Sequence, residues 1–229
     1  MLSYERLSGN PHSGGYDSAG IANLLAKTFI DAKILIIIRE QQSMIRSVYK
    51  QYVRAGGVAT LGRYLHPVGT ARVPLFDFAF FEYHRLIALY QRLFGETEVL
   101  VLPFEALRRD AYRFASSICT FVGLPNVDRL DLTEVNPGYS ASLIRARRYY
   151  NAVCFRDSLN PAAPFRWAKG AQAFEVVSRL VPKRFSSDAE ARLAVRIGRE
   201  VQSRYVESNS ITAQLTGLDL ASLGYSVQE

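Results

Sequence analysis

The sequence predicts an α/β fold in which a parallel sheet is flanked by helices, followed by a mostly helical second half. Three observations lead to this prediction: two short apolar runs of strand length, amphipathic segments with helical spacing around them, and glycines where those segments end. Strands that alternate with helices pair in parallel, so we expect both runs in one sheet. The 229 residues show no internal repeat, and residues 1–229 are interpreted as a single domain.

The first strand lies between two predicted helices. Apolar residues recur at helical spacing over residues 18–30, and a continuous apolar run follows at 32–38. This run is typical of a parallel strand that is buried on both faces. After Arg39 the helical spacing returns, until Gly56 and Gly57 end the second helix.

The second strand repeats this order of elements. Residues 75–94 have the spacing of a long helix, and the apolar run at 98–103 predicts a strand. A further helix is predicted over 109–122 because Gly123 follows it directly. The remaining chain predicts helices at 141–155, 172–180, 188–205 and 208–215.

Composition excludes several classes of protein. With 48% hydrophobic and 21% charged residues, the chain does not have the composition of a disordered protein. Its longest strongly apolar run, 34–38, is far shorter than the roughly 20 residues of a membrane-spanning helix. The first 15 residues contain no apolar stretch of signal-peptide length, so we expect a cytoplasmic protein.

The cysteines and histidines give no indication of a metal site. Cys119 and Cys154 lack CxxC spacing, and we interpret them as free thiols in a reducing compartment. The three histidines are widely separated along the chain, so we expect no bound metal.

The positive charge favours an anionic ligand. The formal net charge is +7, and 23 of the 28 basic residues are arginine, whose planar guanidinium suits phosphate or sulfate. Nucleic acid would also fit this charge. The chain nevertheless contains no zinc finger, zipper or RNA-recognition signature, so we expect no nucleic-acid partner.

The most informative segment is 33–52, in which a buried strand places Arg39 at its carboxyl end and Ser47 follows on the next helix. Ligands of open α/β sheets bind at this edge, where amides of a helix N-terminus also favour a phosphate. The alternative is structural. Arg39 then ends the strand or pairs with Glu40 or Glu105, and Ser47 is an ordinary helical residue.

The strand, Arg39 and Ser47 eight positions after it resemble the 3′-phosphate-binding motif of sulfotransferases that use 3′-phosphoadenosine 5′-phosphosulfate. The segments 80–107 and 114–125 resemble the long helix, strand, glutamate-bearing segment and helix end that follow in this family. Segments resembling the bacterial and carbohydrate-type members lie at 136–151 and 205–225.

The resemblance implies a P-loop-NTPase-like fold and transfer of a sulfuryl group to a hydroxyl or amine. Phosphoadenosine phosphosulfate is then the co-substrate, Arg39 and Ser47 hold its 3′-phosphate, and no metal is needed. The acceptor is a small molecule, a carbohydrate or a lipid. Glu105 corresponds to a family glutamate for which we expect a structural role, hydrogen-bonded to backbone near the nucleotide.

The resemblance is incomplete at the N-terminus. Sulfotransferases carry a strand and a glycine-rich loop with a basic residue that bind the 5′-phosphosulfate. The Gly-rich segment at 8–15 has no basic residue and is predicted to be a turn. The chain therefore resembles a family member that begins about one βα unit late. The alternative function is a truncated, inactive remnant that binds adenosine 3′,5′-bisphosphate or a partner without catalysis.

Four further residues are candidates for the site. Glu5 and His12 are candidate bases for the acceptor's proton, although surface glutamates are common and His12 lies in the predicted turn. Arg145 and Arg148 fall on one face of a predicted helix, where they either grip the nucleotide or are simply solvated.

Overall fold

The helices and strands of the computed structural model follow the predicted alternation through the first half of the chain. It describes residues 3–4, 6–68, 75–127, 129–131, 140–154, 163–165, 167, 170, 172–174, 176–177 and 183–228, the last range without the side chains of 183–186. The elements are α1 (Ser18–Thr28), β1 (Ile34–Ile38), α2 (Gln41–Arg54), α3 (Leu61–Leu65), α4 (Tyr83–Phe94), β2 (Val99–Pro103), α5 (Phe104–Arg109), α6 (Ala111–Val122), α7 (Ile144–Cys154), α8 (Lys183–Val201) and α9 (Val206–Thr216).

The chain divides into two compact units. Unit 1 consists of residues 1–41, 73–134 and 202–229, and unit 2 consists of residues 42–72 and 135–201. The interpretation of residues 1–229 as a single domain stays a prediction.

The sheet of unit 1 is parallel, as the sequence predicts. Strand β1 pairs with β2 in a register that places Ile34 opposite Val99 and Ile38 opposite Pro103. Among the residues that the structure describes, these two strands form the sheet. Both strands therefore end at the same edge, which is the edge that leads into α2 and α5.

The core of unit 1 lies between one face of this sheet and helix α4. Helix α4 buries an apolar stripe, as expected for an amphipathic helix against a sheet. The C-terminal segment, residues 217–228, completes the same core. The buried members are Ala22, Ile36, Ile38, Tyr83, Ile87, Tyr90, Val99, Val101, Leu220 and Tyr225.

The sequence predicts that β1 is buried on both faces. This prediction is wrong for the side chains that the structure describes. Ile36 and Ile38 are buried, whereas Leu35 and Ile37 on the opposite face are 36% and 53% exposed. Successive side chains of a strand point to opposite faces. Helices α1 and α4 pack on the same side of the sheet, so the apolar run is covered on one side.

Capping side chains move two of the predicted helix boundaries. The helix predicted over 75–94 begins only at Tyr83, because Asp77 accepts a hydrogen bond from the backbone N–H of Ala79 and starts a short 3₁₀ turn instead. Asp110 accepts from the N–H of Arg113 and begins α6. A separate short helix, α5, therefore precedes it.

The predicted helices of the second half are confirmed in part. Helix α7 corresponds to the helix predicted over 141–155, and α9 to that predicted over 208–215. Helix α8 begins earlier than predicted and ends at Val201, before Gln202, which has a φ of 38° and interrupts the helical backbone. The helix predicted over 172–180 lies partly outside the described residues.

Two isoleucines of β1 test the one-sided core. Ile38 is 1% exposed and Ile37 is 53% exposed. We expect Ile38→Ala to lower the free energy of unfolding by about 2–5 kcal/mol, because it leaves a cavity. We expect the matched variant Ile37→Ala to change it by less than about 1 kcal/mol. Urea denaturation measures both, and equal losses would contradict the one-sided burial.

Candidate functional site

The carboxyl edge of the sheet brings together residues that follow the two strands. Arg39 and Glu40 follow β1, and Phe104 and Glu105 follow β2. Because the strands are parallel and in register, these residues lie at the same edge of unit 1. This is the edge at which the sequence predicts an anion.

Two guanidinium groups lie against one aromatic ring at this edge. The Cζ atom of Arg39 is 5.1 Å from the centroid of the Phe104 ring, and that of Arg108 is 5.5 Å from the same centroid. A ring face attracts a cation and limits the positions of the side chain. Phe104 therefore gives Arg39 an apolar support, and Arg108 adds a second positive charge that the sequence analysis did not identify.

The peptide bond between Arg39 and Glu40 is held on both sides. The hydroxyl of Tyr83 donates a hydrogen bond of 2.6 Å to the carbonyl oxygen of Arg39. The backbone N–H of Glu40 donates to Oε1 of Glu105 at 3.1 Å. Glu105 thus has the structural role that the sequence predicts, because its carboxylate binds backbone beside Arg39.

The C-terminal segment supplies a further hydrogen bond to Glu105. The hydroxyl of Tyr225, which is 3% exposed, donates to Oε2 of Glu105 at 2.9 Å. Burial, and then the negative charge of Glu105, raise the pKa of Tyr225. The hydroxyl therefore stays protonated and remains a donor. No local pattern in the sequence indicates this contact.

Helix α2 begins with a buried amide pair. Nε2 of Gln41 donates to Oδ1 of Asn209 at 2.6 Å, and Nδ2 of Asn209 donates to Oε1 of Gln41 at 3.3 Å. Asn209 also donates to the carbonyl oxygen of Ser226 at 2.8 Å. Helix α9 and the C-terminal segment thereby hold the first residue of α2 at the carboxyl edge.

The two residues predicted to hold the 3′-phosphate are both half-buried. Arg39 belongs to unit 1, where it directly follows β1. Ser47 lies on α2, about 9 Å along the axis from Gln41, and belongs to unit 2. Their joint action on one phosphate stays a prediction.

Comparison with protein families matches residues 19–129 to the sulfotransferase family. This segment belongs to the sulfotransferase family. It contains both strands, Arg39, Ser47 and Glu105. Searches of the curated proteins and of the solved structures each gave no match.

The turn at 8–15 lies before the sulfotransferase segment and is present as predicted. It contains a 3₁₀ turn, Pro11–Ser13, and a Cβ atom at Gly15 would collide with the ring of Phe80. Several of its backbone N–H groups already have partners. Those of His12 and Gly15 donate to oxygens of Asn10 within the turn. That of Gly9 donates to the carbonyl oxygen of Arg6, and that of Asn10 donates to Oδ1 of Asp17. These amides are already engaged and do not form an open anion cradle.

The structure describes one of the two candidate bases, His12, but not the other. Glu5 lies outside the described residues. Burial, and then the positive charge of Arg6, lower the pKa of His12 to about 4. An imidazole with this pKa is neutral at pH 7 but is a weak base, whereas general-base catalysis is most effective with a pKa near the working pH.

Helix α7, also outside the matched segment, places its arginines in three environments. Arg145 is exposed, with its Cζ atom 5.9 Å from the Tyr149 ring centroid. The half-buried Arg148 donates from Nε to the carbonyl oxygen of Val58 at 3.0 Å. Arg147, which the sequence analysis did not single out, is 2% exposed. Nucleotide binding by Arg145 and Arg148 stays a prediction.

Helix α7 also holds the carboxyl end of α2 in unit 2. Arg147 donates to the carbonyl oxygen of Arg54 at 3.1 Å. Nδ2 of Asn151 donates to the carbonyl oxygens of Val53 and Gly57 at 2.7 and 2.9 Å. The last carbonyl groups of a helix have no partner within it, and cations are favoured there. These contacts give Arg147 and Asn151 a structural role at the carboxyl end of α2.

Two further properties concern the part of the chain that the structure describes. No three His, Cys, Asp or Glu side chains are grouped there so that they could hold a metal ion. None of its helices is both long and apolar enough to cross a membrane.

The pKa of His12 predicts a dependence of stability on pH. Above pH 6.5, the ordinary pKa, the imidazole is neutral in the folded and unfolded chains. Between pH 6.5 and about 4, the unfolded chain takes up a proton that the folded chain does not, so stability falls as the pH falls. We expect His12→Gln to lose less stability over this range than the wild type. Thermal unfolding measures it, and parallel curves for both proteins would contradict the lowered pKa.

Proposed function

We propose that the protein transfers a sulfuryl group from 3′-phosphoadenosine 5′-phosphosulfate to a hydroxyl or amine of a small-molecule, carbohydrate or lipid acceptor. The family of residues 19–129 supports the reaction class. The observation that carries the choice of donor is the position of Arg39. This residue lies between a parallel strand and a helix, and its guanidinium rests against the ring of Phe104.

In this proposal Arg39 and Ser47 hold the 3′-phosphate of the donor. A guanidinium offers several donors in one plane and suits a phosphate with two or more oxygens to bind. Helix α2 begins two residues after Arg39, so amides of its N-terminus add partial positive charge next to the guanidinium. Ser47, further along the same helix, supplies a neutral hydroxyl donor.

The proposed reaction forms one bond to sulfur and breaks another. The acceptor oxygen or nitrogen attacks sulfur, and the bond between sulfur and the bridging oxygen of the phosphate breaks. That oxygen keeps the electron pair, the acceptor proton passes to a base, and the product is adenosine 3′,5′-bisphosphate. Positive charge near the leaving phosphate stabilises the transition state. Glu5 and His12 are the candidate bases, and a pKa of about 4 makes the imidazole of His12 a weak base at neutral pH.

Nucleotide binding tests the role of Arg39. We expect the wild type to bind adenosine 3′,5′-bisphosphate more tightly than adenosine 5′-phosphate, as measured by calorimetry. We expect Arg39→Ala to remove this preference, because a charge-assisted hydrogen bond contributes about 1.5–3 kcal/mol, or roughly 10- to 150-fold in Kd. Affinity for adenosine 5′-phosphate should change little.

Arg92→Ala is the matched control, because it removes the same charge elsewhere in unit 1. Arg92 is exposed and lies about 14 Å along α4 from Tyr83, the residue that contacts Arg39. It should keep the wild-type preference. A preference that survives in Arg39→Ala would overturn the proposed phosphate site.

Ser47 should contribute less than Arg39. Ser47→Ala removes one neutral hydrogen bond, which contributes about 0.5–1.5 kcal/mol, so we expect a loss of roughly 2- to 12-fold in affinity for adenosine 3′,5′-bisphosphate. The exposed Ser222→Ala, in the C-terminal segment, is the control. Equal affinities of Ser47→Ala and the wild type would remove Ser47 from the site.

A further inference from the structure

We propose that Tyr225 is a positioning residue for the 3′-phosphate site and acts through Glu105 on the peptide that follows Arg39. This inference rests on the proposed function and adds a residue that neither the family match nor the sequence pattern assigns. Tyr225 lies in the C-terminal segment, 120 residues after Glu105.

The first step of the argument is the carboxylate of Glu105, which has two hydrogen-bond donors. Oε2 accepts from the hydroxyl of Tyr225 at 2.9 Å, and Oε1 accepts from the N–H of Glu40 at 3.1 Å. One hydrogen bond leaves a carboxylate free to rotate about its side-chain bonds, whereas two on different oxygens define its plane. Tyr225 therefore determines how Glu105 meets the backbone of Glu40.

The second step is the peptide plane between Arg39 and Glu40. Its N–H is bound by Glu105, and its C=O accepts a bond of 2.6 Å from the hydroxyl of Tyr83. A peptide bond is planar, so contacts at both groups determine the orientation of the whole unit. This orientation directs the Cα atom of Arg39 and hence the guanidinium that rests against Phe104.

The third step is the rigidity of the donor. Tyr225 is 3% exposed and packs in the core of unit 1 together with Tyr83 and Ile38. Its ring is thus fixed independently of Glu105. The hydroxyl is a donor with a defined position, and the Tyr225–Glu105–Glu40 contacts connect this core to the residue next to the anion-binding guanidinium.

Tyr225→Phe tests this role because it removes the hydroxyl and keeps the ring. We expect the ratio of Kd for adenosine 5′-phosphate to Kd for adenosine 3′,5′-bisphosphate to fall by about 3- to 10-fold, the effect of one lost hydrogen bond. Kd for adenosine 5′-phosphate should stay unchanged. If Tyr225 had a purely structural role, its loss would weaken the binding of both nucleotides equally and leave the ratio of their Kd values unchanged.

Tyr90→Phe is the matched control. Tyr90 is also buried in unit 1, and its hydroxyl donates to the carbonyl oxygen of Leu7 at 3.0 Å, away from the residues that follow β1. This variant should have the wild-type ratio. Thermal unfolding without ligand checks that both variants are folded.

Tyr83→Phe is a second test variant, because it removes the hydrogen bond to the carbonyl oxygen of Arg39 on the other side of the same peptide. We expect it to lower the ratio of the two Kd values by the same factor as Tyr225→Phe.

A double-mutant cycle tests whether Tyr225 acts through Glu105. Glu105→Gln should lower the ratio of Kd for adenosine 5′-phosphate to Kd for adenosine 3′,5′-bisphosphate. Adding Tyr225→Phe to this variant should lower the ratio no further, because the effects of two residues that act in series do not add. Independent, additive losses would overturn the proposed route. A wild-type ratio in Tyr225→Phe overturns the positioning role alone. A wild type without preference for the bisphosphate overturns the proposed function together with this inference.

Discussion

The peptide bond between Arg39 and Glu40 is the point at which the strand, the next helix and the C-terminal segment of unit 1 are joined. Tyr83 holds its C=O and Glu105 holds its N–H. Polar groups at a half-buried strand end need partners, because leaving them without hydrogen bonds costs more than a hydrogen bond gains. The side chains that form hydrogen bonds with this peptide also determine the orientation of Arg39 beside it. The stability of this strand end and the geometry of the proposed anion site therefore depend on the same few contacts.

The local part of this arrangement could be predicted from the sequence. The apolar runs and glycine stops locate β1, β2 and α2, and the sequence places Arg39 directly after β1, at the edge for which an anion site is proposed. The helix boundaries follow less accurately from the sequence. Asp77 and Asp110 are ordinary N-cap residues, and their presence indicates where the 3₁₀ turn and α6 begin.

The distant part of the arrangement could not be predicted. Asn209 is 168 residues from Gln41, and Tyr225 is 120 residues from Glu105. Hydrophobic periodicity reports which face of an element is buried, but it carries no information on which polar groups meet across the fold. The one-sided exposure of β1 has the same origin, because it depends on which helices cover the sheet.

Helix α7 shows that a shared helical face does not identify the buried arginine. Residues 145 and 148 share a helical face, yet the buried guanidinium is that of Arg147, whose Cζ atom is 5.4 Å from the ring centroids of both Tyr150 and Phe174. The cost of removing this charge from water is offset by the two rings and by the carbonyl group of Arg54 at the negative end of α2. The chemistry of a helix end, rather than of a ligand, accounts for this arginine.

The pairing of Gln41 with Asn209 also orders events during protein synthesis. The ribosome adds Asn209 168 residues after Gln41, the first residue of α2. At about 5–20 residues per second, this interval lasts roughly ten to thirty seconds. During this interval a nascent chain exposes the start of α2 without its amide partner, and the carboxyl edge of the sheet is complete only after Asn209 has been added.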